Sequence, residues 1–199
     1  MHIKPILYIS LLALTLAAFT AYDQQAAADE TTAGKAAPPP SPFILTASIQ
    51  DLMQSLVDPS ADALWESVST ISTKDGVIEK RPRTDKDWLE LRHKAIALLE
   101  STNLLAMQGR HVIEKGQKLM DEGLEGNLTP VQIQKLIDKN PIAFAAFAHG
   151  LHSATMKALK AIDNKDVDAF LNAGGDIDSA CEACHLEYWY PGHGVPGGG

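Results

Sequence analysis

Residues 180–188 read Ala180-Cys181-Glu182-Ala183-Cys184-His185-Leu186-Glu187-Tyr188, and they hold both cysteines of the 199-residue chain. Upstream, Val167, Phe170, Leu171, Ile177 and Ala180 recur at helical spacing, so the motif is predicted on a last helix that starts near Asp166. Gly174-Gly175 is expected to interrupt and bend it. Two thiols three positions apart on a helix point to one side. Cys-x-x-Cys-His is the c-type haem attachment pattern. Each thiol adds to one vinyl group of the macrocycle, and the imidazole of His185 then lies beneath it, free to bind iron. A large apolar cofactor is thereby tied to the chain, so affinity no longer limits its retention.

Other readings of the motif fit less well. A thioredoxin-like Cys-x-x-Cys follows a strand at the start of a helix, whereas the residues before Ala180 are helical in pattern. A structural zinc site takes four ligands, and Cys181, Cys184 and His185 supply three. Two cysteines are too few for a disulfide framework.

Working back from the motif, the remaining periodicity is helical too. Ile49, Leu52, Met53 and Leu56 share one face of a first helix. Asp58-Pro59 is expected to restart it, with Asp58 as N-cap and Pro59 at the first position, and Leu64, Trp65 and Val68 face inward. Residues 69–83, with Gly76 and Pro82, read as a loop. Thr84 to Asp87 resembles a capping box with Asp in place of Glu or Gln. The long helix behind it carries Trp88, Leu91, Ala95, Leu98, Leu99, Thr102, Leu105 and Ala106, and its pattern extends towards Glu122, weakened by Gly109 and Gly116. Thr129-Pro130 opens a short amphipathic segment. Asn140-Pro141 opens a helix rich in Ala and Phe that ends near Ile162. No strand-like alternation is evident. Four substantial helices with short connections predict an all-α fold, an antiparallel four-helix bundle.

The chain begins as an exported protein does. Lys4 precedes a run from Pro5 to Ala21 of about 17 almost purely apolar residues, followed by small ones, which is the shape of a secretory signal peptide. Residues 1–21 are assigned to it, with cleavage as late as residue 28 as an alternative; left uncleaved, the segment is a membrane anchor. Residues 22–43, with three prolines at 38–40, cannot bury enough apolar surface to fold and read as a tether. The folded domain spans 44–190, and 191–199 is a Gly-rich tail. The formal net charge of -8 argues against nucleic acid, whose recognition needs Lys and Arg on phosphates.

The motif's position near the C-terminus, Tyr188 behind it and the order of the helices resemble the class II cytochromes c, the cytochrome c-prime and cytochrome c-556 group, over residues 44–190. The resemblance implies a periplasmic four-helix bundle holding one haem c between its helices, frequently dimeric, with Cys181 and Cys184 as covalent anchors and His185 as proximal iron ligand. It departs from the family after the motif, where Leu186-Glu187-Tyr188-Trp189-Tyr190 stands in place of the usual nearby Arg or Lys.

The sixth iron ligand separates two functions within that group. Met53, on the apolar face of the first helix, matches the c-556 ligand position. His/Met ligation raises the potential and implies a one-electron carrier with transient redox partner proteins, not an enzyme. If Met53 is instead core filling, an apolar residue such as Ile49, Leu52 or Leu56 caps a five-coordinate iron open to NO or CO. The first helix offers no distal His and Arg pair of the kind that cleaves peroxide. His149 and His152 stand at i, i+3 and are further metal-ligand candidates. His93 and His111 are expected to be exposed, and Met107, Met120 and Met156 to be packing residues. Trp65, Trp88 and the 188–190 aromatics are expected in the core or beside the haem, Phe144 and Phe147 in ordinary packing, and His193 in the tail.

Overall fold

Short polar side chains set the helix starts. Each first-turn N–H group lacks an intrahelical partner, and Ser48, Thr84, Thr129, Asn140 and Asp166 each accept one such bond. The first three are full capping boxes, closed by Asp51, Asp87 and Gln132. In the computed structural model, which describes residues 43–120 and 122–192, the elements are α1 (Ile49–Leu52), a π-helical turn (Met53–Val57), α2 (Asp58–Trp65), β1 (Ser69–Thr73), β2 (Gly76–Lys80), α3 (Asp85–Ala106), α4 (Pro130–Lys139), α5 (Pro141–Asp163) and α6 (Val167–Tyr188). The described chain is mostly helical, with one small antiparallel sheet. The expected signal peptide, the tether up to residue 42, and the tail from His193 on lie outside the described residues.

The structure corrects four sequence expectations. No helix restarts at Asp58: Val57 and Asp58 are both in the right-handed helical region (φ -69°, ψ -63° and φ -58°, ψ -51°), so α1, the π turn and α2 run on as one segment. Pro59 has no N–H, and its ring clashes with a carbonyl one turn back in a regular α-helix. The π turn just before it takes up the misfit, the Asp58 N–H bonding to the Met53 carbonyl five residues back.

Second, the expected loop over 69–83 contains the β1–β2 hairpin, with Ile71 paired to Ile78 and Thr73 to Gly76 across the turn Lys74–Asp75. Gly76 sits at φ 134°, a conformation that L side chains rarely adopt. Nearly every hairpin residue is exposed, so no core imposed the alternation by which strands are recognised.

Third, α3 ends at Ala106 and does not approach Glu122. Met107 turns extended (ψ 119°) and Gly109 adopts φ 85°. The buried guanidinium of Arg110 then closes the helix, donating from Nε to the Leu104 carbonyl at 3.2 Å and from its fork to the Ala47 carbonyl ahead of α1. Fourth, α6 passes through Gly174-Gly175 without a break. The absence of a side chain at Gly174 serves packing instead: Trp65 lies against it and donates Nε1–H to its carbonyl at 3.0 Å, and a Cβ there would stand 3.4 Å from Trp65 Cδ1.

The core lies where α5 packs on α3 and on α6, with α2 against α3 and α6. Buried Ala148, Ala154, Ala158 and Ala161 on α5 permit close approach to both neighbours. Leu98, Ile133 and Ile177 are fully buried around them, and Trp88 meets Phe170 edge-on at 6.2 Å. Between α3 and α4, the Ile49 and Gln50 N–H groups at the start of α1 bond to the His111 and Val112 carbonyls at 2.8 and 3.0 Å, which lays that long connection beside the π turn.

Candidate functional site

The helical stretch at the end of α6 carries Cys181, Cys184 and His185, all half-buried. The thiols are unpaired. Burial pushes Cys181 up to about 11, with Asp58 and Asp178 adding to the shift, and pushes Cys184 up to about 12, with Cys181 and Glu187 adding. A redox-active Cys-x-x-Cys pair works through a lowered thiol pKa. These neighbours do the reverse. Burial holds the His185 imidazole below its ordinary pKa against the pull of Asp58 and Glu182, which favours the neutral form that binds metals.

The helix stops directly behind the motif. The N–H groups of Trp189 and Tyr190 both reach the His185 carbonyl, at 2.7 and 3.0 Å. Tyr188 is buried and packs edge-on against Phe144 and Phe147, at 5.2 and 5.7 Å. The Tyr190 hydroxyl donates to Glu182 at 2.7 Å. The rings of Trp189 and Tyr190 lie 6.0 and 5.8 Å from that of His185. The Trp189 carbonyl accepts the Leu128 N–H at 2.8 Å, so the 107–129 connection is fastened to the end of α6.

His185 opens into a cavity of about 230 Å³. One wall is Met53, Gln54 and Asp58 of the π turn and α2; another is His185 with Trp189; Leu119 and Leu128 of the long connection add apolar surface. Met53, half-buried, thus shares a cavity with His185. The two cysteines border a different and smaller space of about 20 Å³ against Leu105, Phe144 and Leu151, and His185 borders both. The structure therefore gathers Cys181, Cys184, His185 and Met53 around one end of α6.

Asp58 and Met120 border this cavity without any sequence expectation of a role there, as do Gln50, Gln54, Leu119, Asn127 and Leu128. Asp58 is held above the usual carboxylate range by burial, with His185 lowering it and Asp62 raising it; its placement five residues after Met53, across the π turn, is the signal that could have found it. Met120 was expected to be packing and is 70% exposed, at the cavity margin. Gln50 holds it there, accepting the Met120 N–H at 3.1 Å and donating to the Lys118 carbonyl at 3.0 Å.

The other candidates do not converge on this site. His152 exchanges a hydrogen bond with Thr102 at 3.1 Å while His149 is exposed, and His93 and His111 are exposed as expected. Met107 lies against Arg110. Met156 is 46% exposed, against the expectation of packing. Trp88 belongs to the core, Trp65 to the α2–α6 contact, and His193 falls outside the described residues. Among the described residues no three His, Cys, Asp or Glu side chains converge to hold a metal ion. Two unpaired thiols stand beside one imidazole on α6, and that imidazole shares a second cavity with one thioether. No family model matches the chain, and no curated protein or solved structure matches it.

Proposed function

We propose that the chain is an exported c-type cytochrome, a four-helix bundle carrying one haem c on Cys181 and Cys184, with His185 and Met53 as axial ligands, that transfers single electrons between partner proteins. The observation that carries this reading is the shared cavity: His185, directly behind two unpaired thiols, and Met53, on a separate helical segment, line the same space together with Leu119, Leu128 and Trp189 and the polar Gln54 and Asp58. Bound there, a haem supplies a one-electron iron couple whose potential follows its axial ligands, burial and hydrogen bonds.

The protein's own contributions are holding and shielding. Cys181 and Cys184 retain the macrocycle. His185 is kept neutral by burial and available as a donor. The Met53 thioether favours ferrous iron. Leu119, Leu128 and Trp189 supply apolar lining to the cavity, and the hydrogen bonds that end α6 at His185 fix the backbone that carries the imidazole. The segment 49–65 with α3, α5 and α6 would be the four helical stretches of such a bundle.

Intact mass and absorption spectra of protein exported and matured in a host that attaches haem test this. The expected protein carries one haem, shows a Met–iron charge-transfer band when oxidised, and loses that band in Met53→Ala. A colourless preparation with the bare polypeptide mass overturns the proposal. Immediate CO uptake by the reduced wild type moves the chain to the gas-binding, five-coordinate class.

A further inference from the structure

Between α2 and α6, away from the His185 cavity, lies a groove of about 380 Å³ walled by Leu64, Trp65, Val68, Phe170 and Leu171, with Asp178 at its rim. Leu171 is 58% exposed, a large apolar side chain that the described chain does not cover. The charges along both flanking helices have one sign. On α2 and its end, Asp58, Asp62 and Glu66 fall at i, i+4 and i+8, a single stripe. On α6, Asp178 and Glu182 fall at i and i+4. Asp62, Glu66, Asp178 and Glu182 are exposed, Asp58 is exposed as a residue although its carboxyl is desolvated where it lines the His185 cavity, and none of the five forms an ion pair among the described residues.

No Lys or Arg occurs in residues 49–67 or 166–190; cations of neighbouring elements meet the end of the α2 stripe, where Lys80, Arg81 and Lys94 line a space with Glu66, and Asp176 of α6, which pairs with Lys157. Like charges four apart on a helix are destabilising, and alternating signs would have relieved them. Such a local conflict, kept on the two elements that flank one apolar groove, is expected at functional surfaces. The same face reaches the attachment motif: Asp58 and Asp178 both act electrostatically on Cys181.

We infer that the α2–α6 face is the docking surface for a cationic redox partner, a protein whose Lys- and Arg-rich patch meets the two acidic stripes while an apolar side chain fills the groove beside Trp65 and Leu171. This rests on the electron-carrier reading for the partner's chemistry. Opposite charge steers encounter, and a small apolar centre suits the weak interface of an electron-transfer complex.

The test measures the dissociation constant of the matured protein with a lysine-rich c-type cytochrome as probe, and with an acidic ferredoxin as its counterpart, at about 20 mM ionic strength, where screening is weak. Asp62→Asn/Glu66→Gln/Asp178→Asn is compared with Asp75→Asn/Glu100→Gln/Asp138→Asn, which removes the same charge from other faces. The first triple should lose about tenfold or more in affinity for the basic probe and the second under about twofold. Leu171→Ser should also weaken the complex, by a factor that persists when salt is raised. Equal losses in both triples, no binding of the basic probe, or preference for the ferredoxin overturns the inference. Haem content is read on the same samples: a haem-loaded protein that fails here leaves the carrier reading intact, and a haem-free protein that passes sinks that reading alone.

Discussion

Met53 shows how far a single residue could be read. Its spacing from Ile49, Leu52 and Leu56 put it on an apolar face, where methionine ordinarily fills gaps in a core; in the structure it lines a cavity together with His185. Periodicity could say nothing comparable of Met120, which sits on a connection held to Gln50 by the Met120 N–H and the Lys118 carbonyl. Asp58 was legible as a residue at a proline boundary and misread in role, because the π turn that carries it past Val57 has no signature in hydrophobic spacing. The two thioethers are separable by experiment. Met53→Ala should abolish the Met–iron charge-transfer band and open the reduced protein to CO. Met120→Ala should leave band and CO response as in the wild type, since its side chain is largely in solvent. A band lost in Met120→Ala and kept in Met53→Ala would transfer the ligand role to the long connection.

Capping chemistry made several helix starts readable, because a capping box is local in sequence and in space. Ends and joins were less so: α3 stops where Arg110 reaches back to the Leu104 carbonyl, and the hairpin 69–80 is an exposed ribbon that no core patterned, though Asp75-Gly76 between β-branched runs is a turn signal in its own right. The Thr84–Asp87 box has a pH signature. The Asp87 carboxylate accepts the Arg83 and Thr84 N–H groups, each at 2.9 Å, and these bonds hold it below the usual carboxylate range. A carboxyl group depressed in the folded state stabilises that state above its unfolded pKa, about 3.9, and the contribution fades as pH falls through the lower folded value. Melting temperatures between pH 7 and pH 2 should therefore fall less steeply for Asp87→Asn than for wild type at the acid end; equal slopes would remove Asp87 from the acid response. Within α6, no neighbour of Gly175 lies within 4 Å of a built Cβ, whereas Gly174 meets Trp65 Cδ1 at 3.4 Å. Gly175→Ala should raise unfolding free energy by about 0.5–1 kcal/mol, the cost of glycine in a helix interior. Gly174→Ala should gain about as much, because 3.4 Å from Trp65 Cδ1 is ordinary van der Waals contact. Urea titrations of both variants decide it, and a clearly smaller gain at Gly174 would show that Trp65 restrains that position.

At the scale of the molecule, the mostly helical class followed from apolar spacing, while the arrangement that brings Met53 to His185 did not, because it depends on where a 107–129 connection without periodicity is fastened. That connection ties the start of α1 to the end of α6, so the space it encloses bears on stability as well as on the site. The cavity of about 230 Å³ is open at its margin and lined by Gln54, Asp58 and His185 as well as by Leu119 and Leu128, so it admits water and leaves those apolar side chains partly uncovered. In the proposed holoprotein, a macrocycle bonded to Cys181 and Cys184 and held by His185 and Met53 would cover apolar side chains and would join α6 to the π turn. The Cys181→Ala/Cys184→Ala variant, exported under the same conditions, should lose haem, show a lower helical signal by circular dichroism, and melt broadly at a lower temperature. A variant that keeps full helicity and a sharp calorimetric transition would show that side-chain packing on α3, α5 and α6 suffices for the fold, and that the cofactor is carried by the structure without supporting it.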